Sequence, residues 1–178
     1  PKDWILLSFM MDPRTGLGRF RDYRISNYRL MEDMIQYCRT KTAEDILALP
    51  DVQERTERYF KQEVMYKEML ARNHSVKKNV VLINLMKETT IYSGNRFLVY
   101  ALFPVQNIEV RAMWGRDKRN VVIACGHSIL NRTSKTNGGR LMLEYGGGGH
   151  EKVGTCQASI DDWERVLREI TEKMVRDG

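Results

Sequence analysis

The sequence predicts an α/β fold: a mixed β-sheet of about five strands flanked by helices, preceded by a helical linker. Two changes along the chain indicate this. As far as about residue 75, apolar residues follow helical spacing and capping signals recur; beyond it, short β-branched runs alternate with turn residues. Hydrophobic residues make up 42% of the 178 residues, which is enough for the core of one ordinary domain or somewhat more.

The first 40 residues suggest a strand, a loop and a helix. The apolar run "WILLSFMM" (4–11) predicts a short buried strand that ends at Asp12, and the glycine- and arginine-rich stretch 12–24 predicts a loop. Ser26 or Asn27 can cap the helix that follows. Four residues at helical spacing would form its buried stripe: Met31, Met34, Ile35 and Cys38.

Two further helices are predicted before residue 75. "TAED" (42–45) has the pattern of a capping box and starts a short helix that stops before Pro50. A long, charged helix then covers roughly 52–72. Its apolar stripe is sparse, which is typical of a helix that links two domains. The stripe consists of Val52, Tyr59, Phe60, Val64 and Leu70.

The second part of the chain alternates strands and helices. A helix is predicted over 137–145, a further strand over 154–159, and a last helix that begins near Ser159 or Asp162. Four earlier runs read as strands: 79–86, 96–104, 107–114 and 120–126.

Composition favours an anionic partner. Lys and Arg number 29 against 23 Asp and Glu, a net charge of +6, which suits nucleic acid, nucleotide or phosphate; a solvated basic surface is the alternative. No apolar run approaches the length of a membrane span, and no signal peptide is evident, so no membrane partner is expected. Three scattered cysteines indicate a reducing, cytoplasmic setting. Because the chain starts with Pro1, we expect a fragment of a longer protein.

Four consecutive glycines, 146–149, stand directly before His150. Glycine costs about 0.5–1 kcal/mol more than alanine to order, so a run of four needs a reason. A helix C-cap followed by a loop is one interpretation. A dinucleotide fingerprint or Walker loop is excluded by the spacing and by the preceding helix. The third interpretation is an anion-binding loop, in which backbone N–H groups approach a phosphate and His150 adds a donor.

The segment "NRTSKTN" (131–137) precedes the same predicted helix. Its Arg132 can grip a phosphate with two parallel hydrogen bonds, and its hydroxyl groups, including that of Ser134, can add donors. A solvated turn with a Ser or Thr cap is the structural alternative. A cationic loop and a glycine–histidine loop at opposite ends of one short helix favour a phosphate site.

Two other groupings are weaker candidates. A zinc site would need a standard ligand spacing, which the residues Cys125, His127, His150 and Cys156 lack. Base stacking could use aromatic side chains in a basic groove, but aromatics in predicted strands are more often part of the core. The aromatic candidates are Tyr92, Tyr100 and Trp114.

Taken together, "NRTSK", the helix "GGRLMLEYG" and "GGGGHEKVGTC" resemble the C-terminal, DHH-associated substrate-binding domain of the DHH phosphoesterase superfamily. The superfamily includes RecJ-like nucleases, nanoRNases that also act on pAp, cyclic-dinucleotide phosphodiesterases and exopolyphosphatase-related proteins. The resemblance covers about residues 76–178. It implies three regions: 1–24 as the end of a truncated N-terminal metal-binding domain, 25–75 as a helical linker, and 76–178 as the substrate-binding domain.

The resemblance also implies roles for individual residues. Gly147, Gly148 and Gly149 would cradle a phosphate, with His150 donating to it. Arg132 and Ser134 would hold the neighbouring phosphate or sugar. Asp12, before Thr15-Gly16, would be the last metal ligand of the N-terminal domain, although the spacing is stretched by extra residues. No catalytic set is complete in this chain, because neither Asp-x-Asp nor Asp-His-His occurs.

The function that the resemblance implies is hydrolysis of phosphodiester or phosphoanhydride bonds by the full-length protein, with Mn²⁺ or Mg²⁺ as cofactor. The fragment alone is expected to bind no metal and to be inactive. Expected partners are a phosphate-bearing substrate (an oligonucleotide, pAp, a cyclic dinucleotide or polyphosphate), the protein's own N-terminal DHH domain and a second copy in a homodimer. The alternative is a non-catalytic module that binds nucleic acid or nucleotides.

Overall fold

A computed structural model describes all residues, 1–178, and divides them into two compact units. The first unit comprises residues 1–69 together with 92–96, and the second comprises 70–91 and 97–178. The four helices that open the chain are α1 (Asp3–Met11), α2 (Asn27–Thr40), α3 (Ala43–Leu47) and α4 (Pro50–Arg72). Two short 3₁₀ turns, Pro13–Thr15 and Leu17–Arg19, connect α1 to the loop before α2.

The strand predicted over 4–11 is wrong, because this segment is helix α1. The buried residues Leu6, Leu7 and Met10 lie one and four positions apart, which is helical spacing, whereas Trp4 and Ile5 are exposed. A continuous apolar run of this length fits either structure, and the tertiary contacts decide between them. Leu7 packs in one cluster with α2 and α3, and Leu6 and Met10 pack in another with Leu17 and Tyr59.

The helix α2 begins as predicted, with Ser26 accepting a hydrogen bond from the Arg29 N–H, but its buried stripe differs. Leu30 and Met34 are buried, while Met31 and Ile35 are exposed. Cys38 is exposed as well, so only Met34 of the four residues predicted for the stripe is buried. The capping box of α3 is confirmed: Thr42 and Asp45 exchange side-chain and backbone hydrogen bonds.

The long helix α4 is confirmed, and it is better packed than its sequence suggests. Phe60 and Val64 are exposed, but Tyr66 and Met69, absent from the predicted stripe, are buried with Val52, Tyr59 and Leu70. Arg55 is also buried, at 1% exposure, and its guanidinium donates to the carbonyl oxygens of Asp51 and Ile25 and to Asn27 Oδ1.

The second unit is built on one mixed sheet of six strands in the order β1-β2-β3-β4-β6-β5. Only β2 and β3 are parallel; the other neighbours are antiparallel. The predicted α/β class with a mixed sheet is thereby confirmed. The strands are β1 (His74–Lys77), β2 (Val80–Asn84), β3 (Ile108–Trp114), β4 (Val121–His127), β5 (Gly148–His150) and β6 (Val153–Ala158).

The strand predicted over 96–104 is wrong, because Leu98–Leu102 form a short helix, α5. The parallel pairing of β2 with β3 explains this result, since parallel neighbours need a crossover connection and usually place a helix in it. The segment between β2 and β3 is that crossover. Its apolar residues Val99 and Tyr100 are buried side by side and do not alternate as strand residues would.

Two further helices, α6 (Gly138–Leu143) and α7 (Trp163–Asp177), pack against one face of the sheet. The core combines alternate residues of β3, β4 and β6 with Leu141 and Met142 of α6 and the buried stripe of α7. That stripe contains Val166, Leu167, Ile170 and Met174. None of the helices in the chain is both long enough and apolar enough to cross a membrane.

Candidate phosphate-binding site

The two segments singled out from the sequence lie on either side of α6 in the second unit. The loop after β4 runs from Ser128 to Asn137, and Asn137 Oδ1 caps α6 by accepting from the Arg140 N–H at 3.0 Å. The glycine run begins where α6 ends and continues into β5. Part of the run is therefore a strand and not only a loop, a point that the sequence did not indicate because glycine is depleted in strands.

Three of the four glycines are required by the fold. Gly146 has φ +73°, the left-handed conformation that commonly ends a helix. A Cβ atom at Gly147 would lie 2.1 Å from the carbonyl oxygen of Thr155, and one at Gly149 would lie 2.2 Å from that of Val153. Gly149 also has φ +151°. At these positions the absence of a side chain lets β5 approach β6 closely, so the packing explains them without any ligand.

Gly148 is different from its neighbours. A Cβ atom there would have no heavy atom within 4 Å, and the backbone does not adopt a positive φ. In the register of β5 and β6, Gly148 pairs with the exposed Thr155, whereas the buried residues of β6 are Gly154, Cys156 and Ala158. Gly148 therefore lies on the outward face of the edge strand. The packing therefore does not require a glycine at this position, and the space outside the Gly148 backbone is open.

His150 shares the outward face with Gly148, because residues two apart on a strand point the same way. Its side chain is exposed, and its Nδ1 accepts a hydrogen bond from the Lys152 N–H at 3.4 Å. In the neutral ring the proton is then on Nε2, the nitrogen directed away from the turn. His150 thus presents a donor to the solvent from the end of the edge strand.

Arg132 and Ser134 lie in the loop before α6. Arg132 is exposed, and its Nε donates to the carbonyl oxygen of Ile129 at 3.0 Å, which fixes the base of the guanidinium and leaves its terminal amino groups without a partner. The Oγ of Ser134 is buried and also has no hydrogen-bond partner. A buried hydroxyl without a partner is rare in a folded chain and is compatible with a role toward a bound molecule.

Asp12, the predicted metal ligand, lies in the first unit at the end of helix α1 and not at the end of a strand. Its carboxylate caps the following 3₁₀ turn by accepting from the Arg14 N–H at 2.8 Å, and both of its oxygens accept from Arg14 Nε. This pairing lowers the pKa of Asp12. In the structure Asp12 therefore caps this turn.

No group of three or more His, Cys, Asp or Glu side chains comes together anywhere in the chain in an arrangement that could hold a metal ion. Cys125 and Cys156 are buried on neighbouring strands, and burial raises the pKa of each thiol to about 11. Both therefore belong to the core behind α6. Of the three stacking candidates, Tyr100 is buried, and Trp114 is half-buried with its Nε1 donating to the Met86 carbonyl oxygen; Tyr92 is half-buried in the segment between β2 and α5.

Comparison with solved structures gives a relative of known activity. The chain is 50% identical to a pGpG-specific phosphodiesterase, PggH, from Vibrio cholerae, with a TM-score of 0.94 over 99% of this chain. This match bears out the resemblance to the DHH phosphoesterase superfamily. The superfamily motifs "NRTSK" and "GGGGH" are the segments that flank α6 in the structure.

Other comparisons are less informative. A second match is a DHH domain described as a member of the s1p family of ribosomal proteins. The match covers 75% of this chain and 33% of the other protein, with 12% identity and a TM-score of 0.48. No protein-family model matches the chain, and no curated protein matches it. The chain spans 59% of the length of the PggH phosphodiesterase.

Proposed function

We propose that this chain is the substrate-binding part of a phosphodiesterase that hydrolyses short linear dinucleotides such as pGpG. The observation that carries the proposal is the 50% identity to a pGpG-specific phosphodiesterase, maintained over 99% of the chain. At this identity the two chains share their fold in detail, as the TM-score of 0.94 indicates, and a common substrate class is the simplest explanation.

The outward face of β5 and the loop before α6 supply the chemistry that a dinucleotide needs. The open space at Gly148 lets a phosphate approach the backbone, and His150 Nε2 provides a directed donor beside it. Arg132 offers two parallel N–H groups to a second phosphate. These groups bind and orient the substrate, and they also offset negative charge on the phosphoryl group as a bond breaks.

Manganese or magnesium, which the superfamily implies, does not fit the residues of this chain. The candidate ligand Asp12 is engaged by Arg14, and no second carboxylate or histidine accompanies it in a set that could bind an ion. The proposed role of the chain is limited to holding the substrate.

The proposal is tested by titrating this chain with pGpG in a calorimeter, with pAp, a cyclic dinucleotide, a short oligonucleotide and polyphosphate as competitors. We expect saturable binding of pGpG that weakens when Arg132 or His150 is replaced by alanine. We also expect no turnover of pGpG by this chain in the presence of Mn²⁺. A chain that binds none of these compounds would contradict the proposal.

The non-catalytic nucleotide-binding module remains the second interpretation. It predicts the same binding, so the hydrolysis assay must use the longer protein of which this chain is a part. Chelator-sensitive cleavage of pGpG by that protein would support the phosphodiesterase. Tight binding without cleavage would favour the module.

A further inference from the structure

His127 is bonded to both segments of the candidate site. It is the last residue of β4, and its backbone N–H donates to the carbonyl oxygen of Lys152 at 2.9 Å, in the turn that follows His150. Its ring Nε2 lies 2.7 Å from the carbonyl oxygen of Thr136, at the end of the loop that carries Arg132 and Ser134. Because a carbonyl oxygen only accepts, Nε2 is the donor in this bond.

The bonds made by His127 continue to the site residues themselves. Lys152, whose carbonyl oxygen accepts from the His127 backbone, donates its own N–H to Nδ1 of His150. On the other side, Thr136 lies directly before Asn137, the cap of α6, and its Oγ1 donates to Asp177. One residue thus connects the turn that orients the His150 ring with the end of the cationic loop.

A buried amide ties the same loop at a second point. Asn107 is 4% exposed, and its Nδ2 donates to Thr133 Oγ1 at 3.1 Å, between Arg132 and Ser134. Asn107 directly precedes β3, and Ile108 pairs with His127 across the sheet. The two ties therefore start from adjacent positions at one end of the sheet, so a rigid edge supports the loop.

We propose that His127 is a positioning residue that holds the loop of Arg132 and Ser134 in register with His150. This inference depends on the proposed function in one respect: the spacing between Arg132 and His150 is taken to match the spacing of two substrate phosphates. The bond from Nε2 to Thr136 is the part that a mutation can remove without touching the backbone. Its loss removes one of the bonds that hold this end of the loop, while the side chains of Arg132 and His150 themselves are unchanged.

The test compares His127→Ala, His127→Gln and His127→Asn. A glutamine amide reaches about as far as Nε2 and can donate to the same carbonyl, whereas an asparagine amide is too short. Amide hydrogen exchange of residues 131–137 is measured without ligand, and the affinity for pGpG is measured by calorimetry. His74→Ala is the matched control, since the His74 ring also bonds to a carbonyl, that of Ala71, away from both segments.

We expect alanine and asparagine to speed exchange in 131–137 and to weaken pGpG binding, each by roughly three- to tenfold, the effect of one hydrogen bond. Glutamine should restore both, and His74→Ala should change neither. Unchanged exchange in His127→Ala and His127→Asn, or the same change in His74→Ala, would overturn the proposal. If the wild-type chain fails to bind pGpG, the proposed function is wrong, but the exchange measurement still decides the role of His127.

Discussion

At the scale of single residues, replacing Gly148 by alanine distinguishes a functional from a structural reason for the glycine run. A methyl group there meets no neighbouring atom, so we expect Gly148→Ala to change the free energy of unfolding by less than about 0.5 kcal/mol. The same methyl group would occupy the path of a phosphate toward the backbone. Binding of pGpG, measured by calorimetry, should therefore weaken by about tenfold or more, which is about 1.4 kcal/mol.

The adjacent position provides the control. In Gly149→Ala a methyl group would contact the carbonyl oxygen of Val153, and the φ of +151° would be strained, so the variant should lose about 2–4 kcal/mol of stability by chemical denaturation. If Gly148→Ala unfolded as easily as Gly149→Ala, the run would be purely structural. Intact binding in a stable Gly148→Ala variant would equally exclude Gly148 from the site.

Arg132 and His150 are exposed, so their replacement by alanine should affect binding and not stability. Hydrogen bonds to charged groups contribute about 1.5–3 kcal/mol, which corresponds to roughly a ten- to hundredfold weaker affinity for pGpG. In the longer protein the same factor should appear in kcat/KM. Melting temperature and affinity are measured together for each variant.

The opposite pattern of stability and affinity would contradict this prediction. A lower melting temperature with unchanged affinity in His150→Ala would make that histidine a structural residue. Arg132→Lys is the matched control, because lysine keeps the charge but cannot form two parallel hydrogen bonds, and it should recover only part of the lost affinity.

At the scale of elements, the buried Arg55 of α4 organises the first unit. Its guanidinium joins the helix to the carbonyl oxygen of Ile25 and the side chain of Asn27, and it lies 4.0 Å above the ring of Tyr23. Arg55→Met leaves those polar groups without a partner, and we expect a loss of about 2–4 kcal/mol.

Denaturant unfolding followed by a probe in the first unit measures the effect of Arg55→Met. Lys61→Met, at an exposed position of the same helix, is the control and should have little effect. If both variants unfolded alike, Arg55 would not anchor the loop before α2.

The elements that could be predicted from the sequence are those with clear signals in their own residues. Ser26, the capping box at 42–45 and the apolar strands β2, β3, β4 and β6 were predicted because capping and burial follow local patterns. Helices α1 and α5 were mistaken for strands because short apolar runs fit both structures. Strands β1 and β5 were missed since one is exposed at every position and the other is mostly glycine.

The candidate site was only partly predictable for a related reason. The motifs placed Arg132 and His150 beside the same helix, but which glycine faces outward depends on the register of β5 with β6. The ties from Asn107 and His127 depend on pairings between residues distant along the chain. A single sequence does not show such pairings.

At the scale of the whole molecule, all six residues of the predicted phosphate site lie in the second unit, and Asp12 lies in the first. A fragment of residues 70–178 contains the complete sheet with α5, α6 and α7. We expect it to fold cooperatively and to bind pGpG within about threefold of the affinity of the whole chain. Circular dichroism and calorimetry test both points; a fragment that folds but does not bind would place part of the site elsewhere.

The three cysteines give a second test of the whole fold. All are free thiols; Cys38 is exposed, while Cys125 and Cys156 are buried with pKa values raised to about 11. At pH 8 the buried thiols are almost entirely protonated, and the protonated form is unreactive. We expect one thiol to react with an aromatic disulfide reagent in the native chain and three in denaturant. Three fast-reacting thiols under native conditions would contradict the packing of α6 on the sheet.

The order of the six strands has a consequence for how the protein behaves in concentrated solution. The sheet ends in β1 on one side and β5 on the other, with four and three residues. A long, flat, apolar edge strand can pair with a strand of a second chain, whereas a short edge strand that carries lysine resists such pairing. Lys77 and Lys78 stand at the end of β1, and β5 is short and mostly glycine. Any self-association of this chain should therefore use helical surfaces, and the chain should resist growth into fibrils.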